Sequence, residues 1–255
     1  MLLILLIAII LLSGCAHPKQ AHVNVPSPPG STNEAPSSPP AARVPTSKKN
    51  VANKPEEEEE ADLAEPTIPA DAKPVATETG LASWYGPPYH NRRGSNGEVY
   101  NMHAMTAAHR TYPLGSIVRI TNVKTGASAL VRITDRGPFI PGRVVDLSLA
   151  AARKLDVWKP GVAAVKIELM ESPATVNLPG KWAVQIGGFP HEHAATKLAD
   201  HLTRRYHTAK VLCFASPAGD WWVRVRVLDD DHDRAQKLAA ETKSPEGAVF
   251  LVRLD

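Results

Sequence analysis

The chain has 255 residues and a formal net charge of +3, from 29 Lys and Arg against 26 Asp and Glu. So near a balance, it lacks the basic excess on which nucleic-acid binding rests. Its only cysteines, Cys15 and Cys213, cannot build a cysteine-ligated zinc site.

From Leu2 to Leu12 every residue is apolar, and Ser13, Gly14 and Cys15 follow. That run is shorter than the about 20 residues a bilayer span needs, but it suits the apolar region of a signal peptide. Small residues before a cysteine resemble the bacterial lipobox. Residues 1–15 are therefore read as a lipoprotein leader, with Cys15 as the lipidated mature N-terminus and membrane anchor. Acylation of Cys15 would leave Cys213 without an intramolecular partner. Ala16 in place of Asp after the cysteine resembles outer-membrane sorting, on the periplasmic face. The competing reading is an ordinary secretory signal that contains a cysteine.

Residues 16–79 are rich in Pro, Ala, Ser and Lys, with an acidic run from Glu56 to Glu60. Such a segment buries too little apolar surface to offset its ordering entropy, so a disordered spacer is expected.

From residue 80 to 170 the pattern is short strands separated by turns, at 81–85, 105–108, 116–122, 127–134, 143–147 and 162–169. Lys124-Thr125-Gly126 is a hairpin turn. Leu149 to Leu155 reads as one short helix behind Ser148 as N-cap, and Asp146 is read as structural, helping to cap it. This many strands in so short a stretch predict a small closed barrel. Within it, residues 131–146 place Asp135 at a strand end, followed by a turn held by Gly137 and Pro138. A carboxylate so placed suits site chemistry. Its bland reading is a turn-initiating Asp bonded to its own backbone.

Residues 179–255 change character. Strands at 182–186, 210–214, 221–228 and 248–254 alternate with helices at 191–206 and 229–242, giving β-α-β-β-α-β with both helices on one sheet face. Alternation puts Trp221, Val223 and Val225 under the helices and leaves Trp222, Arg224, Arg226 and Gln185 on the open face. Cys213, in Val-Leu-Cys-Phe, is read as a small buried hydrophobe. His191, His193 and His201 lack the spacing for shared ligation, so no metal or other cofactor is expected.

The barrel region carries Ala82-Ser-Trp-Tyr-Gly86, Ser95-Asn-Gly-Glu98, Thr106-Ala-Ala-His109, Pro113-Leu-Gly115, Asp135-Arg-Gly-Pro-Phe139 and Gly142-Arg-Val-Val-Asp-Leu-Ser148. In this order the motifs resemble the rare lipoprotein A family of septal peptidoglycan lytic transglycosylases. The resemblance implies a double-psi β-barrel over 80–170. The final unit resembles a SPOR domain, which implies binding to glycan strands stripped of peptide. It also implies enrichment at the septum and divisome or amidase partners. Asp135 becomes the expected acid/base, with Glu98 and His109 as its catalytic neighbours. Trp84, Tyr85 and Arg136 are expected to bind substrate in the barrel, as are Gln185, Trp222, Arg224 and Arg226 on the sheet.

The chemistry is coherent. A lytic transglycosylase protonates the leaving oxygen of the β-1,4 bond, and the muramic acid C6 hydroxyl attacks its own anomeric carbon, leaving a 1,6-anhydro end. The intramolecular attack gains effective concentration from geometry. A free Asp has a pKa of about 4, so Asp135 as acid requires burial or a second carboxylate, for which Glu98 is the expected partner. Two alternatives remain: a non-catalytic barrel that grips glycan as expansins are thought to do, and a hydrolase using both carboxylates.

Overall fold

The computed structural model describes residues 64–174, 180–244 and 246–255. The expected leader, Cys15 and the spacer up to residue 63 lie outside the described residues.

The first unit has strands β1 (Ala76–Trp84), β2 (Thr106–His109), β3 (Ile117–Asn122), β4 (Ser128–Asp135), β5 (Arg143–Leu147) and β6 (Ala163–Glu171), with helix α1 (Leu149–Lys154) before β6. They close into a barrel in the order β1-β5-β2-β4-β3-β6. The β1–β5 and β2–β4 pairs are parallel, and the others antiparallel. This is the double-psi β-barrel. Alternate residues Val118, Ile120, Val131, Ile133, Val145, Leu147, Ile167 and Leu169 fill it, and Leu155 and Val157 pack against them. Each is fully buried, which contributes about 1.5–3 kcal/mol per side chain.

Strand β1 begins at Ala76, inside the stretch expected to be spacer. Its first residues pair with β6 from Ala76↔Leu169 onward. Thr77 and Glu78 carry no apolar signal, and only the partner strand recruits them. Ser148 caps α1 as expected: its hydroxyl accepts from Ala151 N at 3.1 Å and donates to Ala104 O at 2.6 Å. Asp146 takes no part in the cap.

The second unit runs β7 (Trp182–Phe189), α2 (Glu192–Arg205), β8 (Lys210–Ala215), β9 (Trp221–Arg226), α3 (His232–Glu241) and β10 (Ala248–Arg253). The sheet order is β10-β7-β9-β8. Ala195, Leu202, Ala235 and Leu238 of the helices cluster with Val184, Ile186, Val223 and Val225 of the sheet. The helices therefore share one face, as the alternation predicts. Helix α3 starts later than expected. A 3-10 turn, Leu228–Asp230, intervenes with Asp229 and Asp230 at positive φ, and Asp231 caps the helix through Arg234 N at 2.9 Å. Cys213 is exposed, not buried, because β8 is the edge strand of the sheet.

The two units meet through main-chain bonds from Arg253 N to Arg110 O (3.0 Å) and from Leu114 N to Asp255 O (3.3 Å).

Because the Ser148 hydroxyl serves two buried backbone groups, Ser148→Ala should destabilise the protein by about 1–2 kcal/mol in urea unfolding. An unchanged midpoint would show that the cap contributes nothing.

Candidate active site

Strand β2 lies between β4 and β5, and its Ala108 is in register with Asp135 on one side and Asp146 on the other. All three residues line one cleft of about 610 Å³. Two strand spacings put the carboxylate-bearing Cα atoms roughly 10 Å apart. The methyl group of Ala108 between them leaves the intervening space open.

The two carboxylates are held differently. Asp135 is arranged as an acceptor. Its Oδ1 receives Ser95 N at 2.9 Å, Ser95 Oγ at 2.5 Å and Arg136 N at 2.8 Å. The last is the self-turn of the bland reading, so turn formation and site placement coexist in one residue. Oδ2 has no donor among the described residues. Gly137, at φ 148, carries the chain over the site; a Cβ there would lie 3.9 Å from Asp146 Oδ2 and 3.7 Å from Ala108.

Asp146 is half-buried beside β1. Its Oδ1 accepts from Ser83 Oγ at 2.5 Å, and Oδ2 pairs with Arg143 at 3.2 Å. Burial pushes its pKa above the ordinary carboxylate value. Arg143, Ser83 and Arg110 oppose that rise, and the negative charge of Asp135 adds to it. Asp146, expected to be structural, thus stands in the same cleft as Asp135, with its carboxyl pKa raised by burial.

Glu98 lies elsewhere. It shares a small pocket of about 30 Å³ with Asp135 but does not line the cleft. Its Oε2 accepts from Asn96 Nδ2 at 2.7 Å and sits 3.7 Å from Arg132. Its charge is balanced by that arginine on the barrel wall.

His109 is not in the cleft. Ala108 faces the cleft and the next strand residue faces away. The ring stacks on Tyr112 at 4.0 Å, Nδ1 accepts from Tyr112 N at 3.0 Å, and Nε2 lies 3.0 Å from Glu78 Oε2. This pattern places the proton on Nε2. Burial holds the His109 pKa below its usual value and outweighs the opposing pull of Glu78, while the bond from His109 lowers Glu78. The pair is therefore a neutral imidazole donating to a carboxylate.

Arg136 lines the cleft and also braces the main chain around it. Its guanidinium is buried and donates to the carbonyls of His109 (3.1 Å), Tyr112 (2.7 Å) and Asp255 (2.5 Å). Trp84 and Tyr85 both line the cleft. Trp84 also packs on the barrel core. Tyr85 stacks on Tyr100 at 4.3 Å, and its hydroxyl is buried without a hydrogen-bond partner among the described residues. Burial and the charge of Asp135 push that phenol well above its usual pKa, so it is a donor. Gln185, Trp222 and Arg224 of the second unit also line the cleft, whereas Arg226 does not and is paired with Asp230. Trp222 is buried, not exposed, because Phe139 packs on it at 5.3 Å and Gly187 lies directly beneath its ring.

Residues 77–167 match the lytic transglycolase family, and residues 178–251 match the SPOR domain. The chain thus carries a lytic transglycolase domain followed by a SPOR domain, and it is similar to the RlpA proteins. Among its relatives, the endolytic peptidoglycan transglycosylase RlpA of Vibrio cholerae is 43% identical over 133 residues, 49% of this chain and 51% of the relative. Its counterpart in Neisseria meningitidis is 55% identical over 92 residues, 36% of this chain and 38% of the relative. That in Helicobacter pylori is 39% identical over 152 residues, 48% of each. The chain thus spans between 38% and 51% of the length of these curated relatives.

The sequence did not point to Asp146 as a cleft residue because it sits two residues before an N-cap, where a capping role is ordinary. The available clue was Ser83 in Ala82-Ser-Trp-Tyr-Gly86, a buried polar residue beside apolar neighbours.

The His109–Glu78 pair predicts acid sensitivity. His109 binds protons less readily folded than unfolded, so stability falls as pH drops below about 6.5. Glu78, lowered in the fold, adds a further loss below its ordinary value of 4.5. His109→Gln should cost about 1–3 kcal/mol at pH 7 and flatten the loss between pH 7 and 5. An unchanged pH profile of the urea midpoint would remove His109 from this role.

Proposed function

We propose that the chain is a peptidoglycan lytic transglycosylase acting on peptide-poor glycan strands. The observation that carries this reading is the row Asp146–Ala108–Asp135 across three strands of one cleft, with one carboxyl raised by burial and the other arranged as an acceptor. Environments that push two carboxyls apart suit an acid and a base on one bond.

Asp146 delivers its proton to the leaving O4 of the N-acetylglucosamine as the C1–O4 bond breaks. Positive charge develops on the muramic acid ring and is met by the carboxylate of Asp135. The C6 hydroxyl closes on C1, and Oδ2 of Asp135 takes the proton that it loses. No water is consumed, and the product ends in 1,6-anhydromuramic acid. The Tyr85 hydroxyl, buried and unpartnered, is placed to donate to a sugar oxygen. Glu98, with Arg132, supports the wall beside Asp135 and acts on the chemistry only through it.

The setting we propose is the cell envelope at the division septum. A lipid anchor on Cys15 would hold the chain at the periplasmic face of the outer membrane, with the residues that follow as the tether. The SPOR domain would retain it on glycan, and amidases that strip peptides would supply its substrate.

Digestion of peptide-stripped sacculi by the detergent-solubilised full chain, with products weighed by mass spectrometry, tests this reading. Anhydro ends are expected. Reducing ends would indicate a hydrolase, and no release would leave a glycan-gripping protein. Asp135→Asn and Asp146→Asn should each lower release by at least about a hundredfold. Because Asp146 must carry the proton, the wild-type rate should fall as pH rises through its raised pKa. Wild-type turnover by Asp146→Asn would defeat its assignment as acid. The same variant should gain stability relative to wild type as pH rises. A carboxyl raised in the fold stabilises at low pH, and that contribution is lost above its folded pKa.

A further inference from the structure

The cleft has a second wall that does not belong to the barrel. Gln185, Phe214, Asp220, Trp222 and Arg224 of the second unit line it together with Asp135 and Asp146. The contact is built from the turn that follows Asp135. Phe139 packs against Trp222 at 5.3 Å and Phe250 at 5.7 Å, and Arg110 lies over Phe250 at 5.6 Å. Arg136, two residues from the Pro138 turn, reaches the Asp255 carbonyl at 2.5 Å. The segment that positions the reacting carboxylate is thus the segment that holds the sheet's open face against the cleft.

On that face Arg224 is set in place. Its Nε and Nη2 donate to Gln185 Oε1 at 3.0 and 2.7 Å, and its guanidinium lies over Phe214 at 5.3 Å. Nη1 has no acceptor among the described residues. A glycan stripped of peptide carries a lactyl carboxylate on each muramic acid. Bringing that anion beside Asp135 in a partly desolvated cleft is costly without a cation. A pre-oriented guanidinium is suited to carboxylate recognition, and its ordering entropy is already spent.

We infer that the sugars bound at Asp146 and Asp135 are gripped at the same time by the second unit, with Arg224 pairing with a lactyl carboxylate of that same segment. The two units then form one glycan site, and Arg224 is a specificity-determining residue for unsubstituted muramic acid. The inference rests on the proposed function for the identity of the ligand.

The test uses the full chain and a peptide-free muramic acid–glucosamine tetrasaccharide, too short to bridge two separate sites. Calorimetry on the non-cleaving Asp135→Asn chain should give one tetrasaccharide per chain. Adding Arg224→Ala should weaken binding about tenfold, and Arg224→Lys should recover part of the loss. In the cleaving chain Arg224→Ala should raise KM by a similar factor with kcat within about twofold. Converting the lactyl carboxylates to methylamides should raise the wild-type KM as much and leave the Arg224→Ala value where it was. Two independent tetrasaccharide sites would overturn the inference, as would a wild-type KM in Arg224→Ala. Absence of anhydro product from the wild-type chain would instead refute the catalytic reading, with the calorimetric result still deciding whether the site is shared.

Discussion

The insertion of β2 between β4 and β5 is the constraint on which the site depends. Parallel pairing with β4 and antiparallel pairing with β5 bring residues 108, 135 and 146 onto one line across the barrel wall. A strand supplies one residue per face per repeat, so this line also fixes what the neighbours do. Ala108 opens the cleft, and His109 is turned to the other side, where it joins Glu78 and Tyr112. Shifting β2 by one residue would exchange them, placing an imidazole between the carboxylates and removing the buried pair from the scaffold.

Around that line the barrel tolerates features that work against its own stability. Asp146 is held in a setting that raises its pKa by burial, and the Tyr85 hydroxyl has no partner among the described residues. Such groups cost free energy unless a ligand completes them. Elsewhere the polar interior is better satisfied: Ser148 makes two bonds, Asn122 donates to Leu155 O at 2.8 Å, and His109 uses both ring nitrogens. Among the described residues the unpartnered buried atoms of Tyr85, Arg136 and Arg143 lie at the cleft, where a polar sugar can use them, and only the Thr106 hydroxyl lies outside it.

The second unit changes the meaning of the cleft. A sheet with an aromatic residue and two arginines on its free face reads as an independent carbohydrate surface, yet the three residues differ in situation. Trp222 is covered by Phe139, Arg224 faces the cleft from its seat on Gln185 and Phe214, and Arg226 is tied to Asp230. Burial, not the alternation itself, separates them.

Periodicity and turn chemistry by themselves determined the strands of the barrel, the βαββαβ order, the Ser148 cap and the rigid strand end at Asp135. These are local properties, written in side chains that neighbour one another along the chain. What only the tertiary structure decided were the partners across strands. Asp135 and Glu98 stand in polar motifs and share a small pocket, but closure of the barrel also sets Asp135 across Ala108 from Asp146, a neighbour that no motif announces. His109, a polar residue in a conspicuous motif, is turned away from the cleft by alternation, whereas Arg136 lines it while bonding three carbonyls. The start of β1 at Ala76 and the exposure of Cys213 have the same origin. A strand's beginning and its cover depend on what lies beside it in space, and no local pattern of residues encodes that neighbour.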